Sequence, residues 1–256
     1  MRLAPVFYTL AQVQFNPIAQ MSDYVARLQE RLRRSGFPDF RVENQVGLTI
    51  RRLDDLQPDV QQQQQIRWSF TNAQRTEGYV LVSDTLTFHT TQYDSFVDFL
   101  QKSINGLSLV HEVVELAYIE RIGLRYLDAI VSRDNDTLQQ YLNLSLLGLS
   151  GTLEGQLGHS FTETATAIEE GNLVARAVIT EGGLAVSPDL LPLQLELQSR
   201  FAEINGRNAV LDTDYFLVKR NGFDLEDIKG QLLSAHDIIT TAFKASVTDY
   251  ARAQWA

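Results

Sequence analysis

The sequence predicts an α+β protein of two tandem units, each reading strand, helix, three or four strands, helix. The sheet is expected to be mostly antiparallel, with the helices on one face. Three observations carry this. Short segments with period-two alternation of apolar residues recur along the chain, which is the pattern of half-buried strands. Longer segments with apolar residues at helical spacing close each half, at Tyr93–Tyr118 and Asp224–Ala253. Finally, the halves rhyme in order: Gln45-Val46-Gly47 with Gln156-Leu157-Gly158, Ser83–Phe88 with Leu211–Phe216, and His111-Glu112-Val113-Val114 with His236-Asp237-Ile238-Ile239. The expected units are residues 1–118 and 119–256, the second carrying an insertion at about 182–207.

In order, Val6–Phe15 reads as a strand closed by Asn16-Pro17. Ser22 is a plausible N-cap for a helix with Tyr24, Val25, Leu28 and Leu32 on one face, Arg31, Arg33 and Arg34 in its last turn, and Gly36 beyond. Phe40–Arg51 alternates as a strand with an irregularity near Asn44, and Gln57–Gln65 reads as a polar connection. Strands are expected at Ile66–Phe70, Tyr79–Val82 and Thr85–Thr90, before the helix from Tyr93. The second unit opens with a strand at Ile119–Val131 and a helix from Thr137 to Leu147, ending at Gly148. Strands follow at about Thr152–Glu163, Leu173–Thr180 and Val210–Lys219, then the terminal helix from Asp224. The stretch Glu181–Arg207, with Gly182-Gly183 and two prolines, has no counterpart in the first unit. In element order this layout is similar to the saddle of TATA-binding proteins, an analogy that does not fix function.

Bulk properties exclude several classes. The chain has 256 residues, enough for a large core, and its 44% hydrophobic and 21% charged content are those of a globular protein. No apolar run is long enough to span a bilayer, and the N-terminus lacks a signal-peptide pattern, so a cytoplasmic protein is expected. Cysteine is absent, which removes disulfides, thiolate metal sites and cysteine nucleophiles. The net charge of −10 weighs against a broad phosphate-binding surface, although Arg33, Arg34, Arg51 and Arg52 are a conceivable local cluster.

The segment Ile119-Glu120-Arg121-Ile122-Gly123-Leu124-Arg125-Tyr126, with the opening strand ending in Phe15-Asn16-Pro17, resembles a sporadically distributed family of uncharacterised bacterial and archaeal proteins. Members share an R-I-G-L-R-Y strand and a final helix with a His, two aliphatics, then Phe pattern, here His236, Ile238, Ile239 and Phe243. The resemblance implies an accessory, defence or toxin-linked role and supplies no catalytic residues.

Alternation puts Arg121, Gly123 and Arg125 on one face of their strand, where two bidentate guanidinium forks flanking a glycine are suited to an anion. The plainer reading pairs them with acids across the sheet, including Asp212 and Asp214. His111 and His236 occupy equivalent helices, where packing is the first expectation and a shared metal or pH-sensing site the second. His159 and Glu163 share a strand face and are the lone acid–base candidate. Phosphate-loop, nucleophile-elbow and H-E-x-x-H templates all fail.

The sequence therefore favours a non-enzymatic, cytoplasmic protein-binding module, an accessory or inhibitory subunit whose inserted segment Leu184–Phe201 contacts a partner, with no cofactor or metal. The alternative is a small-ligand or nucleotide sensor with an anion site at Arg121 and Arg125. Nucleic-acid binding on a saddle-like sheet ranks third, and an enzyme of unrecognised type fourth.

Overall fold

A computed structural model describes residues 4–51, 59–133, 135–153 and 155–255, with the backbone alone for 45–51 and 59–64. Among the described residues nine strands form one antiparallel sheet: β1 (Val6–Phe15), β2 (Asp39–Arg51), β3 (Asp59–Thr71), β4 (Glu77–Leu81), β5 (Thr85–Thr90), β6 (Tyr118–Val131), β7 (His159–Ile168), β8 (Gly171–Glu181) and β9 (Arg207–Gly222). Their spatial order is β2-β3-β4-β5-β1-β6-β9-β8-β7. The helices are α1 (Met21–Arg34), α2 (Phe96–Val114), the single turns α3 (Leu138–Tyr141), α4 (Leu144–Leu147) and α5 (Ser199–Ala202), then α6 (Leu225–Ser246) and α7 (Asp249–Gln254).

The long helices cover one face. Ala11, Val13 and Phe15 of β1 and Ile122, Leu124 and Tyr126 of β6 meet Leu28 and Leu32 of α1, Leu107 and Val110 of α2, and Ile228 and Leu232 of α6. One core therefore crosses the boundary expected at 118/119. Beside it, α3, α4 and α7 seal Ile130, Ala209 and Leu211 through Tyr141, Leu142 and Trp255. Trp68, whose face the sequence leaves open, is buried on the helix side. Capping fixes the helix starts: Ser95 Oγ accepts from the Asp98 amide at 3.2 Å, and Asp224 accepts from Glu226 and Asp227.

Several expectations are corrected. Gln61–Gln65 are strand, in unbroken register with Gln45–Thr49, and β2 shows no irregularity at Asn44. Beyond Trp68, β3 pairs with β2 alone, so this ladder is a two-stranded ribbon whose backbone pairing does not need an apolar face. Ser22 lies inside α1, which starts after Gln20. The helix expected at 137–147 is two separate turns, because extended Leu142 bridges to Val247. That same bridge ends α6 before α7, which is why the terminal helix is shorter than its apolar period suggests. The strand expected from Thr152 begins at His159.

The rhyming motifs are also sorted by the sheet. Gln45–Gly47 lies in the outermost strand, whereas Gln156–Gly158 precedes β7 in no regular element. Phe88 faces the helices, but Phe216 lies on the opposite face beneath Arg121; a slip of one residue reverses every side chain of a strand. His111 and His236 do sit in comparable places. His111 stacks on Phe223 just ahead of α6 with ring centroids 4.0 Å apart, and His236 stacks on Phe96 at the start of α2 at 3.9 Å. The histidines do not meet each other, so the shared metal site has no geometry.

Close packing of α2 on the sheet depends on Gly106. A Cβ there would stand 2.1 Å from Cε1 of Tyr79, whose hydroxyl donates to the Lys102 carbonyl at 2.7 Å. Gly106→Ala should lower stability by about 1–3 kcal/mol through overpacking, against a helix-propensity gain of about 1 kcal/mol. Urea unfolding with a net loss supports the contact, and a net gain rejects it.

Candidate functional site

The face opposite the long helices is polar at its centre and is crossed by the segment joining β8 to β9. This strap leaves and rejoins the sheet through Gly182 and Gly206, both with positive φ, and the Gly182 amide donates to the Gly206 carbonyl at 3.0 Å. Fully buried Asn208 clamps the neck, its Nδ2 donating to both glycine carbonyls. The strap's apolar residues turn inward: Leu195 and Phe201 pack with Phe7, Leu127, Ala129 and Val210. The segment expected to contact a partner thus covers its own sheet. Its middle is tied by Gln194, which joins Ser69 and Glu43, and by Gln198, which donates to the Thr91 carbonyl.

All five expected site residues lie on this face, but they serve one another. Arg125 is nearly buried and makes a bidentate pair with Asp212, both bonds 2.6 Å, and a third bond of 2.6 Å to Asp189 of the strap. Arg176 reaches Asp212 at 3.6 Å and pairs with Glu163 at 2.7 Å. The result is an alternating row, Asp189, Arg125, Asp212, Arg176, Glu163, running from the strap across β6, β9 and β8 to β7. Burial opposes the charge of Arg125, but its two carboxylates outweigh that and hold the guanidinium firmly protonated. With its fork filled, Arg125 anchors the strap and is not available to grip a ligand.

Arg121 donates to Gln12 Oε1 at 2.6 Å and lies 4.7 Å over the Phe216 ring. A Cβ at Gly123 would come within 3.1 Å of Arg121 Nη1, so this glycine makes room for the neighbouring guanidinium rather than for a ligand. Asp214 stands in register with Arg125, and burial raises its carboxyl above the usual range despite Arg125 and Arg121 nearby. The lone acid–base candidate is not assembled: His159 is exposed, and Glu163 is taken by Arg176. Arg33 and Arg34 both pair with Glu30, while Arg52 lies outside the described residues.

What the sequence reading misses lies beside this row. A cavity of about 260 Å³ opens between the strap and strands β3, β4, β5 and β1, walled by Tyr8, Gln12, Arg67, Thr87, His89 and Asp189 among others. His89 is 1% exposed; its Nδ1 lies 2.8 Å from the Tyr8 hydroxyl, and its Nε2 has no partner among the described residues. Arg67 Nε is likewise buried without a partner among the described residues. Tyr8 is the natural donor to Nδ1, which leaves the proton on Nε2. Gln12, aligned by Arg121, directs its amide to Thr87 Oγ1 at 3.3 Å. The wall is thus rich in donors, and the one carboxylate among its described residues, Asp189, is committed to Arg125. A signal for it existed in the alternation of Gln65, Arg67, Ser69 and of Thr85, Thr87, His89, two polar strand faces that the fold sets near each other.

Burial, and then the Arg67 charge, push the His89 imidazole down to about 3, so it is neutral in the folded protein across the physiological range. No protein-family model matches the chain, and no curated protein matches it.

Two outcomes follow from this geometry. The folded His89 titrates below its unfolded value of about 6.5, so its contribution is intact above that pH and is lost on acidification towards 3. By pH 5 the unfolded state should gain about 2 kcal/mol from this residue. Urea titrations at pH 5 and 8 should therefore show a smaller pH dependence in His89→Gln than in the wild type; equal slopes would contradict it. Asp189→Asn should free the strap without unfolding the sheet, seen as faster proteolytic cleavage within 182–206 and unchanged far-ultraviolet dichroism. Unchanged cleavage would mean that Leu195, Phe201 and the Gln194 and Gln198 contacts hold the strap without Asp189.

Proposed function

We propose that this protein is a non-enzymatic binding module whose ligand is a small anion held under the strap by Arg67 and His89. The observation that carries this reading is that two buried nitrogens, Arg67 Nε and His89 Nε2, both lack a partner among the described residues while their residues line one cavity. An unmade buried hydrogen bond costs about 1–3 kcal/mol, and an anion with several acceptor oxygens satisfies both groups at once. The anion site of the sequence reading is thereby moved from Arg121 and Arg125 to Arg67. Arg121 acts through Gln12, and Arg125 acts by holding Asp189 and the strap in place.

A protein partner at Leu184–Phe201, with an accessory or defence-linked role, draws less support, because that segment's apolar side chains are inside the protein. The duplication reading draws more. The order β1-β5-β4-β3 on one side of the sheet centre is matched by β6-β9-β8-β7 on the other. The His111–Phe223 and His236–Phe96 stacks are reciprocal across α2 and α6. On this reading β2 has no counterpart, and the strap is the second unit's own addition.

Calorimetric titration and thermal shift with malonate, sulfate and phosphate test the assignment, with the neutral malonamide as control. At least one anion should raise the melting temperature in a saturable way. Arg67→Met should weaken it about tenfold or more, as expected for a lost charged hydrogen bond, while Arg121→Met should weaken it less. Equal binding of malonamide, or full binding by Arg67→Met, would overturn the site.

A further inference from the structure

The helix-covered face holds a second cavity, of about 340 Å³, between the start of β1 and helix α6. At its wall stands Asp128 of β6, 3% exposed, for which no ion pair or side-chain hydrogen bond is found among the described residues. Around it are Tyr93, Asp94, Tyr126, His236, Thr240 and Phe243. These groups are mutually ordered. The Tyr126 hydroxyl lies 3.1 Å from that of Tyr93 and 3.2 Å from His236 Nδ1, and the tyrosine rings meet edge to face with centroids 5.4 Å apart. His236 is in turn held flat against Phe96.

A buried carboxyl without a partner is costly, and this one opens into space walled mainly by aromatic and aliphatic groups. That combination has one chemical complement. An ammonium pairs with a carboxylate, is attracted to ring faces, and carries hydrocarbon that the rest of the wall shelters. A divalent cation does not fit, since no cluster of three metal-ligating side chains exists among the described residues. An anion would meet Asp128 itself.

We propose that this cavity is a binding site for a small organic amine, its ammonium on Asp128 and its apolar body between Tyr93, Tyr126 and Phe243. Burial raises the Asp128 carboxyl to about 8, a penalty on its charged form that a cation beside it relieves. Thr240 and the Tyr126 hydroxyl supply further acceptors for the ammonium protons. The site lies across the sheet from Arg67 and does not depend on the anion cavity.

The test compares benzylamine, benzyl alcohol and benzoate by calorimetry and thermal shift at pH 8 on the full chain. Benzylamine should bind the wild-type protein at least tenfold more tightly than benzyl alcohol, and benzoate should not bind. Asp128→Asn, which removes the buried carboxyl and keeps its shape, should fold and lose the preference for the amine. Thr240→Phe, which fills the cavity from α6, should block benzylamine while leaving malonate binding unchanged. Equal affinity for amine and alcohol, retained preference in Asp128→Asn, or no binding of benzylamine to the wild type would each overturn the proposal. The first and last of these comparisons need no variant.

Discussion

Backbone pairing of β1 with β6 joins the two sides of the sheet, and all other strands are added outward from it. Both strands are covered on both faces over much of their length, by the long helices on one side and the strap on the other. Polar residues on them must therefore find partners inside the protein or leave cavities. The R-I-G-L-R-Y segment belongs to this constraint. Its apolar members fill the helix-side core, and its arginines face the strap, one filled by two carboxylates and one resting on glutamine and phenylalanine. A bulge between Val6 and Tyr8 lets Phe7 join the strap-side core while Val6 turns to the helices.

The two faces treat charge differently. Under the strap, charges are paired in a row that reaches β7, and the cavity beside that row is lined by two donors, Arg67 and His89. Under the helices, the residue left over is an acid, Asp128, among aromatic rings. A buried ion pair adds little net stability compared with well-packed apolar groups. The row around Arg125 is better understood as fixing where the strap lies than as strengthening the fold, and the strap's position in turn sets the width of the cavity that Arg67 lines.

Much of the architecture was legible because it follows from alternation and capping. Val6–Phe15 was read to its boundaries, and so was the division of Arg121–Tyr126 between two faces. The α+β class and helices on one face came from the same periods. Failures share a cause: the deciding interaction was made by a residue distant in sequence. Gln61–Gln65 became strand because Gln45–Thr49 pair with them, and the helix at 137–147 broke because Leu142 bridges to Val247. The site was half legible. Arg125 and Asp212 could be named from their strands, but that Asp189 fills the remaining side of the guanidinium depends on where the strap folds back. In the sequence His89 is one residue of an alternating strand, and only the fold brings Tyr8 and Arg67 around it.

The strap's neck has a consequence for how such a protein diversifies. Its two ends leave from adjacent, hydrogen-bonded strands and are closed by two glycines and one asparagine, so the chain between them forms a loop already sealed at its base. Lengthening a loop of this kind costs only about 0.6 kcal/mol per doubling, and no strand need change place. The floor of the cavity that Arg67 lines is built into the sheet, whereas its roof is a replaceable part. Descendants of this chain can therefore exchange the roof, and with it what the cavity admits, while the sheet and the hollow lined by Asp128 behind it stay as they are.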